Sequence, residues 1–304
     1  MKNYSPKIAA QLQVRPQVMH RLSRFKNKEL AKKKICSVGT ERNHVSALTV
    51  FAKWLINDSN KHLKNATSND ATRYLYERSI IVRQKTLDMD RQALNMNMNF
   101  QTDIKFILSE VETHVENRAY TQPQLDYLIL KAPHDLKLSI ELASNAGLRS
   151  MELITLSPPL TLCQSDRNWH EHRFAGRSND ESFIVHGKGG LHREIRLSPE
   201  LADRIKQLTR PAPVTVSNRE THLTSYFDLM GGHTFCLKFS LLSKKVLGFS
   251  YGAHGLRHTF AQKRLLELMC LGHDTEIALI ILSQEMGHFS TTNTMTYLSN
   301  RFAA

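Results

Sequence analysis

From Thr40 to Tyr120 the chain contains neither glycine nor proline, the two residues that most readily interrupt a helix. Within that run apolar residues recur at the spacing of one helix face: Val45, Leu48, Ala52 and Leu55 follow Thr40, a candidate N-cap. The same reasoning predicts helices from Ser68 to Gln84, carrying Tyr74, Leu75, Ile81 and Val82, and from Thr102 to Val115, carrying Ile104, Ile107, Leu108 and Val111. A small helical bundle is expected over residues 38–117. Pro123 and Pro133 flank the helix that follows, so the domain boundary is expected at residues 117–121.

Beyond that boundary the pattern is mixed. An apolar helix from Leu136 to Ala146 is ended by Gly147, and a second, with Glu152, Leu153 and Ile154, is stopped by Pro158 and Pro159. Residues 160–181 carry little regular signal. Phe183 and Val185 then alternate with their neighbours, Gly187 to Gly190 supply turn residues, and Ile195 and Leu197 alternate with Glu194 and Arg196, which predicts a β-hairpin with Lys188 at its turn. Helical patterns return at Pro199–Leu208, His258–Met269 and Ile277–Met286, the last stopped by Gly287. The fold class expected is mainly α with a small β-sheet (α+β).

The chain has 304 residues, 41% of them hydrophobic, enough for one or two ordinary cores. Its 41 Lys and Arg exceed its 28 Asp and Glu, for a formal net charge of +13, and such an excess attracts phosphate backbones by counterion release. Residues 1–37 read as a basic N-terminal arm that ends in Lys32, Lys33 and Lys34. The four cysteines, Cys36, Cys163, Cys236 and Cys270, form no C-x-x-C pair, so neither a disulfide framework nor a zinc cluster is expected. No run of eighteen apolar residues exists, and the first residues are not those of a secretion signal, so a cytoplasmic protein with no membrane partner is expected.

Five short motifs follow one another in the second part: Gly147-Leu148-Arg149-Ser150-Met151-Glu152-Leu153, Gly187-Lys188-Gly189-Gly190, His254-Gly255-Leu256-Arg257-His258-Thr259, Gly287-His288, and Tyr297. Together they resemble the catalytic set of the tyrosine recombinase (phage integrase) family, in its simple two-domain form. The motifs cover residues 118–304. The helical region before them is similar to the family's core-binding domain in size and character. The resemblance implies a clamp of two domains around duplex DNA and a catalytic set of Arg149, Lys188, His254, Arg257, His288 and the nucleophile Tyr297.

These residue types suit phosphodiester transesterification. Guanidinium groups such as Arg149 and Arg257 bind the nonbridging oxygens that gain charge in the transition state. A phenol is both a usable nucleophile and a good leaving group for the reverse step, so the bond energy is kept in a 3′-phosphotyrosine and neither ATP nor a metal or cofactor is expected. Lys188 is the expected general acid, with Lys206, Lys244 and Lys245 as other candidates. By resemblance His254 assists as base or phosphate ligand, and His288 bonds the phosphate. Glu152, one turn after Arg149, is expected to orient that arginine. His254 and His258 are four apart but lack the H-E-x-x-H context of a metal site, and Tyr251 is a rival to Tyr297 that falls before the H-x-L-R-H motif.

The reading that follows is an integrase or excision enzyme of a phage or other mobile element. Its partners would be duplex recombination sites, other copies of itself in a homotetramer, and an accessory directionality protein. A type IB topoisomerase and a non-catalytic DNA-binding architectural protein are the alternatives. Relative to compact relatives the stretch from Cys163 to Asp180 is long, a loop suited to reaching DNA or a partner.

Overall fold

Ser37, rather than Thr40, caps the first long helix: its hydroxyl accepts the Thr40 N–H at 3.2 Å. The computed structural model describes residues 4–20, 28–100, 104–112, 117–159, 161–219 and 221–298. The chain divides into two units, Met1–His114 and Val115–Ala304.

The first unit is helical: α1 (Pro6–Val14), α2 (Lys28–Lys32), α3 (Val38–Ser59), α4 (Ser68–Ser79) and α5 (Gln84–Asn97). Its core joins Leu48, Phe51 and Leu55 of α3 to Tyr74 and Leu75 of α4 and Leu87 and Leu94 of α5. Two sequence expectations change here. The basic N-terminal segment is not simply an arm, because α1 packs on α3 and buries Ala10 and Val14 completely. Nor is the segment expected as a helix from Thr102 to Val115 helical where it is described, at residues 104–112. Its backbone is held instead by side chains of α5: Asn95 accepts the Ile104 N–H at 2.9 Å and Gln84 accepts the Ser109 N–H at 2.7 Å. Ile104 and Ile107 are buried and Leu108 is exposed, while Thr102 and Val115 lie outside the described residues.

The second unit runs α6 (Gln122–Lys131), α7 (His134–Asn145), α8 (Ser150–Ile154), β1 (Leu156–Ser157), β2 (Glu181–His186), β3 (His192–Leu197), α9 (Pro199–Lys206), β4 (Thr209–Asn218), β5 (Thr221–Phe227), α10 (Gly232–Leu247), α11 (Ala253–Cys270), α12 (Thr275–Glu285) and α13 (Thr291–Met295). The expected hairpin is β2 and β3, paired Phe183 to Ile195 and Val185 to Arg193, with β1 added antiparallel on β2. A second hairpin, β4 with β5, forms its own two-stranded sheet and packs Phe227 near Phe183 of the first. One hydrophobic cluster links α6, α7 and α10 to the sheet, with Phe183, Phe235 and Phe239 at its centre. Another joins α11 and α12 through Phe260, Leu265, Ile281 and Leu282, and includes Tyr297 and Leu298. No helix of the described residues is long and apolar enough to cross a membrane.

Candidate active site

Gly147 makes the turn between α7 and α8 with φ at +59°, a conformation that disfavours any side chain, and a Cβ there would collide with the Phe260 ring. The turn leaves Arg149 at the N-cap of α8. Glu152, three residues on, reaches back to accept the Arg149 N–H at 2.8 Å through Oε2 and Arg149 Nη1 at 2.8 Å through Oε1. The same carboxylate, 1% exposed, accepts Arg193 Nη2 at 2.7 Å and lies 3.9 Å from Arg257 Nη1. Burial pushes the Glu152 pKa up. The charges of Arg193, Arg257 and Arg149 and the Arg149 N–H outweigh that cost and bring it down to about 2.

Arg257, on α11, is fully buried and donates to the carbonyls of Gly147 and Met286. Burial and the nearby charge of Arg149 lower its pKa to about 10, so it stays a cation at neutral pH. Its Nη2 lies 3.3 Å from His288 Nε2, and Arg149 Nη2 lies 2.8 Å from the same nitrogen. Guanidinium groups only donate, so His288 Nε2 is an acceptor and the ring proton sits on Nδ1, 3.3 Å from Thr294 Oγ1. Burial, then Arg257 and Arg149, lower the His288 pKa to about 3, which agrees with a neutral ring. Two arginines that converge on one neutral acceptor are also placed to share an anionic one, such as a nonbridging phosphate oxygen.

Tyr297 follows α13 and is 7% exposed. Its ring centroid is 4.7 Å from that of His258, 5.3 Å from His254 and 5.6 Å from His288, and the Arg257 guanidinium carbon lies 5.6 Å away. Gln262 Nε2 donates to the Tyr297 carbonyl at 3.2 Å and fixes the backbone at this point. Although His254 is exposed overall, desolvation of its ring and the charge of Arg257 lower its pKa to about 4. Five of the six expected site residues therefore meet around one point. Lys188 is the exception. It lies exposed in the turn between β2 and β3, though that turn runs close to the site: a Cβ on Gly187 would come within 3.0 Å of Glu152 Oε1. Among the other lysines considered, Lys206 is tied to Glu181 at 2.6 Å. The rival Tyr251 packs on Tyr120 and Phe249, with centroids 5.4 and 5.0 Å apart.

Arg193 is the residue that sequence reasoning missed. It is fully buried, joins Glu152 to the Glu285 carbonyl at 2.8 Å, and packs against Gly287, whose φ of +73° and missing side chain make room for it. A signal was present: Arg193 falls on the same strand face as Ile195 and Leu197, so β3 turns an arginine inward. A second difference concerns Cys163–Asp180. Much of this stretch is docked on α12 and β3 of its own unit, as when Gln284 accepts the His170 N–H at 2.6 Å and the Ser165 N–H donates to the His192 carbonyl at 2.9 Å.

These histidines make stability sensitive to acid. Burial lowers the pKa of His258, 6% exposed, to about 4 from the ordinary 6.5. Between those values the unfolded chain takes up a proton that the folded chain refuses, so stability is lost as pH falls from about 6.5 towards 4. His258 alone gives a slope approaching about 1.4 kcal/mol per pH unit, and His288 adds in the same direction. Thermal melts at pH 7.5 and 5 should show this loss, and His258→Gln should reduce it.

No protein-family model and no curated protein matches the sequence. Among solved structures the chain is similar to the XerH site-specific recombinase bound to difH substrate in a post-cleavage complex, with a TM-score of 0.53 and 16% identity over 96% of this chain and 90% of that one. It is similar to the Tn1549 transposon integrase in complex with transposon right end DNA, with a TM-score of 0.54 and 15% identity over 98% and 95%. A lambda integrase tetramer bound to a Holliday junction gives a TM-score of 0.56 and 16% identity over 98% and 82%. The fold is that of the tyrosine recombinases, mainly helical with small antiparallel sheets.

Proposed function

We propose that this chain is a site-specific DNA recombinase that cleaves and rejoins strands through a 3′-phosphotyrosine at Tyr297. The observation that carries this reading is the convergence of Arg149 and Arg257 on His288, beside the Tyr297 ring, in a chain with the recombinase fold. The Tyr297 oxygen attacks the scissile phosphorus and a new P–O bond forms as the bond to the 5′ oxygen breaks. His254, neutral at physiological pH, accepts the phenolic proton, while Arg149 and Arg257 hold the nonbridging oxygens as they gain charge. His288 donates to the phosphate once its ring proton is turned from Thr294 or taken up on Nε2. Lys188 protonates the departing 5′ oxygen.

Rejoining reverses these steps on a new 5′ hydroxyl. The similar structures support the wider reading: a recombinase on its difH substrate, a transposon integrase on a transposon end, and an integrase tetramer on a Holliday junction. On that reading the chain is an integrase or excision enzyme of a mobile element, works on DNA in the cytoplasm, and assembles as a tetramer on paired duplex sites, with an accessory protein setting direction.

The test incubates the full chain with nicked duplexes from the DNA flanking its own gene and looks for an SDS-resistant protein–DNA adduct. Adducts confined to one short sequence are expected. Adducts at every sequence would favour a topoisomerase, and tight binding without adducts would favour an architectural role. The Lys188 assignment has its own test, because a 5′ sulfur leaves as a thiolate without a proton from the enzyme. Lys188→Ala should slow cleavage of ordinary DNA by about a hundredfold or more and cleave a 5′-bridging phosphorothiolate substrate at close to the wild-type rate. An equal loss on both substrates would remove Lys188 from the role of acid.

A further inference from the structure

We propose that the segment from Gln164 to Ala175 is a brace for the His288 turn and that Trp169 is the positioning residue through which it acts. The proposal rests on the recombinase reading. His288 leaves α12 through Gly287, so its place depends on what fixes the end of that helix and the residue after it. The segment does both. Gln284, near the helix end, accepts the His170 N–H at 2.6 Å and donates to the Asn168 carbonyl at 3.2 Å. Glu285 accepts the Phe174 N–H at 3.0 Å, and Arg264, paired with Glu285 at 2.8 Å, donates to the Ala175 carbonyl at 2.8 Å. On the far side of His288, Phe289 rests on Trp169 with ring centroids 5.0 Å apart.

Trp169 is itself held firmly. Its Nε1 donates to the Ser165 carbonyl at 3.0 Å, and Arg173 stacks over its ring at 4.1 Å and over Phe174 at 4.4 Å. Arg173 has a side chain only 5% exposed, donates to Gln164 at 2.7 Å, and lies 3.7 Å from Glu194 of β3. Phe174 adopts φ of +70°, a conformation costly for a bulky residue that the surrounding contacts must over-determine. Phe289, by contrast, is 50% exposed and meets the unit through this stack and through Arg167 of the same segment, whose guanidinium carbon lies 5.9 Å from its ring centroid. Without Trp169 the residue after His288 loses its aromatic support while the one before it stays pinned. The Nε2 atom, shared by Arg149 and Arg257, would then be misplaced, and small misplacements of a reacting group are costly.

The experiment measures single-turnover adduct formation on nicked duplex by the full chain, with DNA affinity and melting temperature recorded for each variant. Trp169→Ala should slow adduct formation by about ten- to a hundredfold with DNA affinity within about twofold, and Trp169→Phe should recover most of the rate, because an aromatic face is what Phe289 needs. Phe289→Leu, at an exposed position that folding does not require, should reproduce the defect. The Trp169→Ala and Phe289→Leu double variant should be no slower than the slower single one, as expected of two residues acting through one contact. Wild-type rates in Trp169→Ala, a parallel loss of affinity and rate, or defects that multiply in the double variant would each overturn the proposal. Absence of adducts from the wild-type chain would overturn the recombinase reading instead, a distinguishable result.

Discussion

Tyr297→Phe is expected to bind DNA with the wild-type affinity and to form no covalent adduct at all. The substitution removes one oxygen and keeps the ring that packs against His258, His254 and the α11–α12 cluster, so fold and DNA contacts should persist. The lost oxygen is the only atom of this side chain that can bond to phosphorus. Tyr251 is no substitute, since its ring is committed to Tyr120 and Phe249. Measured by SDS-resistant complexes on nicked duplex, the loss should exceed a thousandfold, on the scale of removing a nucleophile outright. Adducts at wild-type yield would sink the assignment of Tyr297 and with it the geometry built around it.

Much of this centre was legible because its residues sit in local patterns. Gly147 and Gly287 mark turns, His254 and Arg257 share one short motif, and Lys188 lies between two alternating strands, each visible within a few residues of sequence. What escaped depends on contacts distant in the chain. The helix Gln84–Asn97 buries Leu87, Ala93 and Leu94 but offers too few apolar residues to display a face by itself. The strand Thr209–Asn218 contains Pro211 and Pro213, which usually argue against a ladder. They are tolerated because the ribbon has only two strands and its register shifts between Thr209 and Val214. The Gln164–Ala175 segment shows no periodicity because carboxylate, amide and guanidinium groups of α11 and α12 satisfy its backbone. Arg193 is the instructive case. Strand alternation places it inward, but only the assembled unit shows that a carboxylate waits there, over forty residues earlier in the chain.

Glu152→Gln is expected to cost more stability than any other single polar substitution at the site. The wild-type carboxylate balances Arg193 and Arg257, both fully buried, and meets Arg149 as well. A neutral amide removes the nearest anion from two buried guanidinium charges, and breaking a buried pair in this way typically costs about 3–5 kcal/mol. At about 2–4 °C per kcal/mol for a unit of this size, the melting temperature should fall by about 10 °C. Acid should tell the variants apart. Because the folded pKa of Glu152 is depressed to about 2 from 4.5, its stabilising contribution is complete above pH of about 4.5 and disappears as pH falls towards 2. Wild-type and Glu152→Gln stabilities should therefore converge over that interval and stay apart at pH 7. Cleavage should fall with stability at pH 7, because Arg149 loses the partner that fixes both its backbone and its Nη1. A variant that melts like the wild type at pH 7 would show that the three arginines are balanced by something other than this carboxylate.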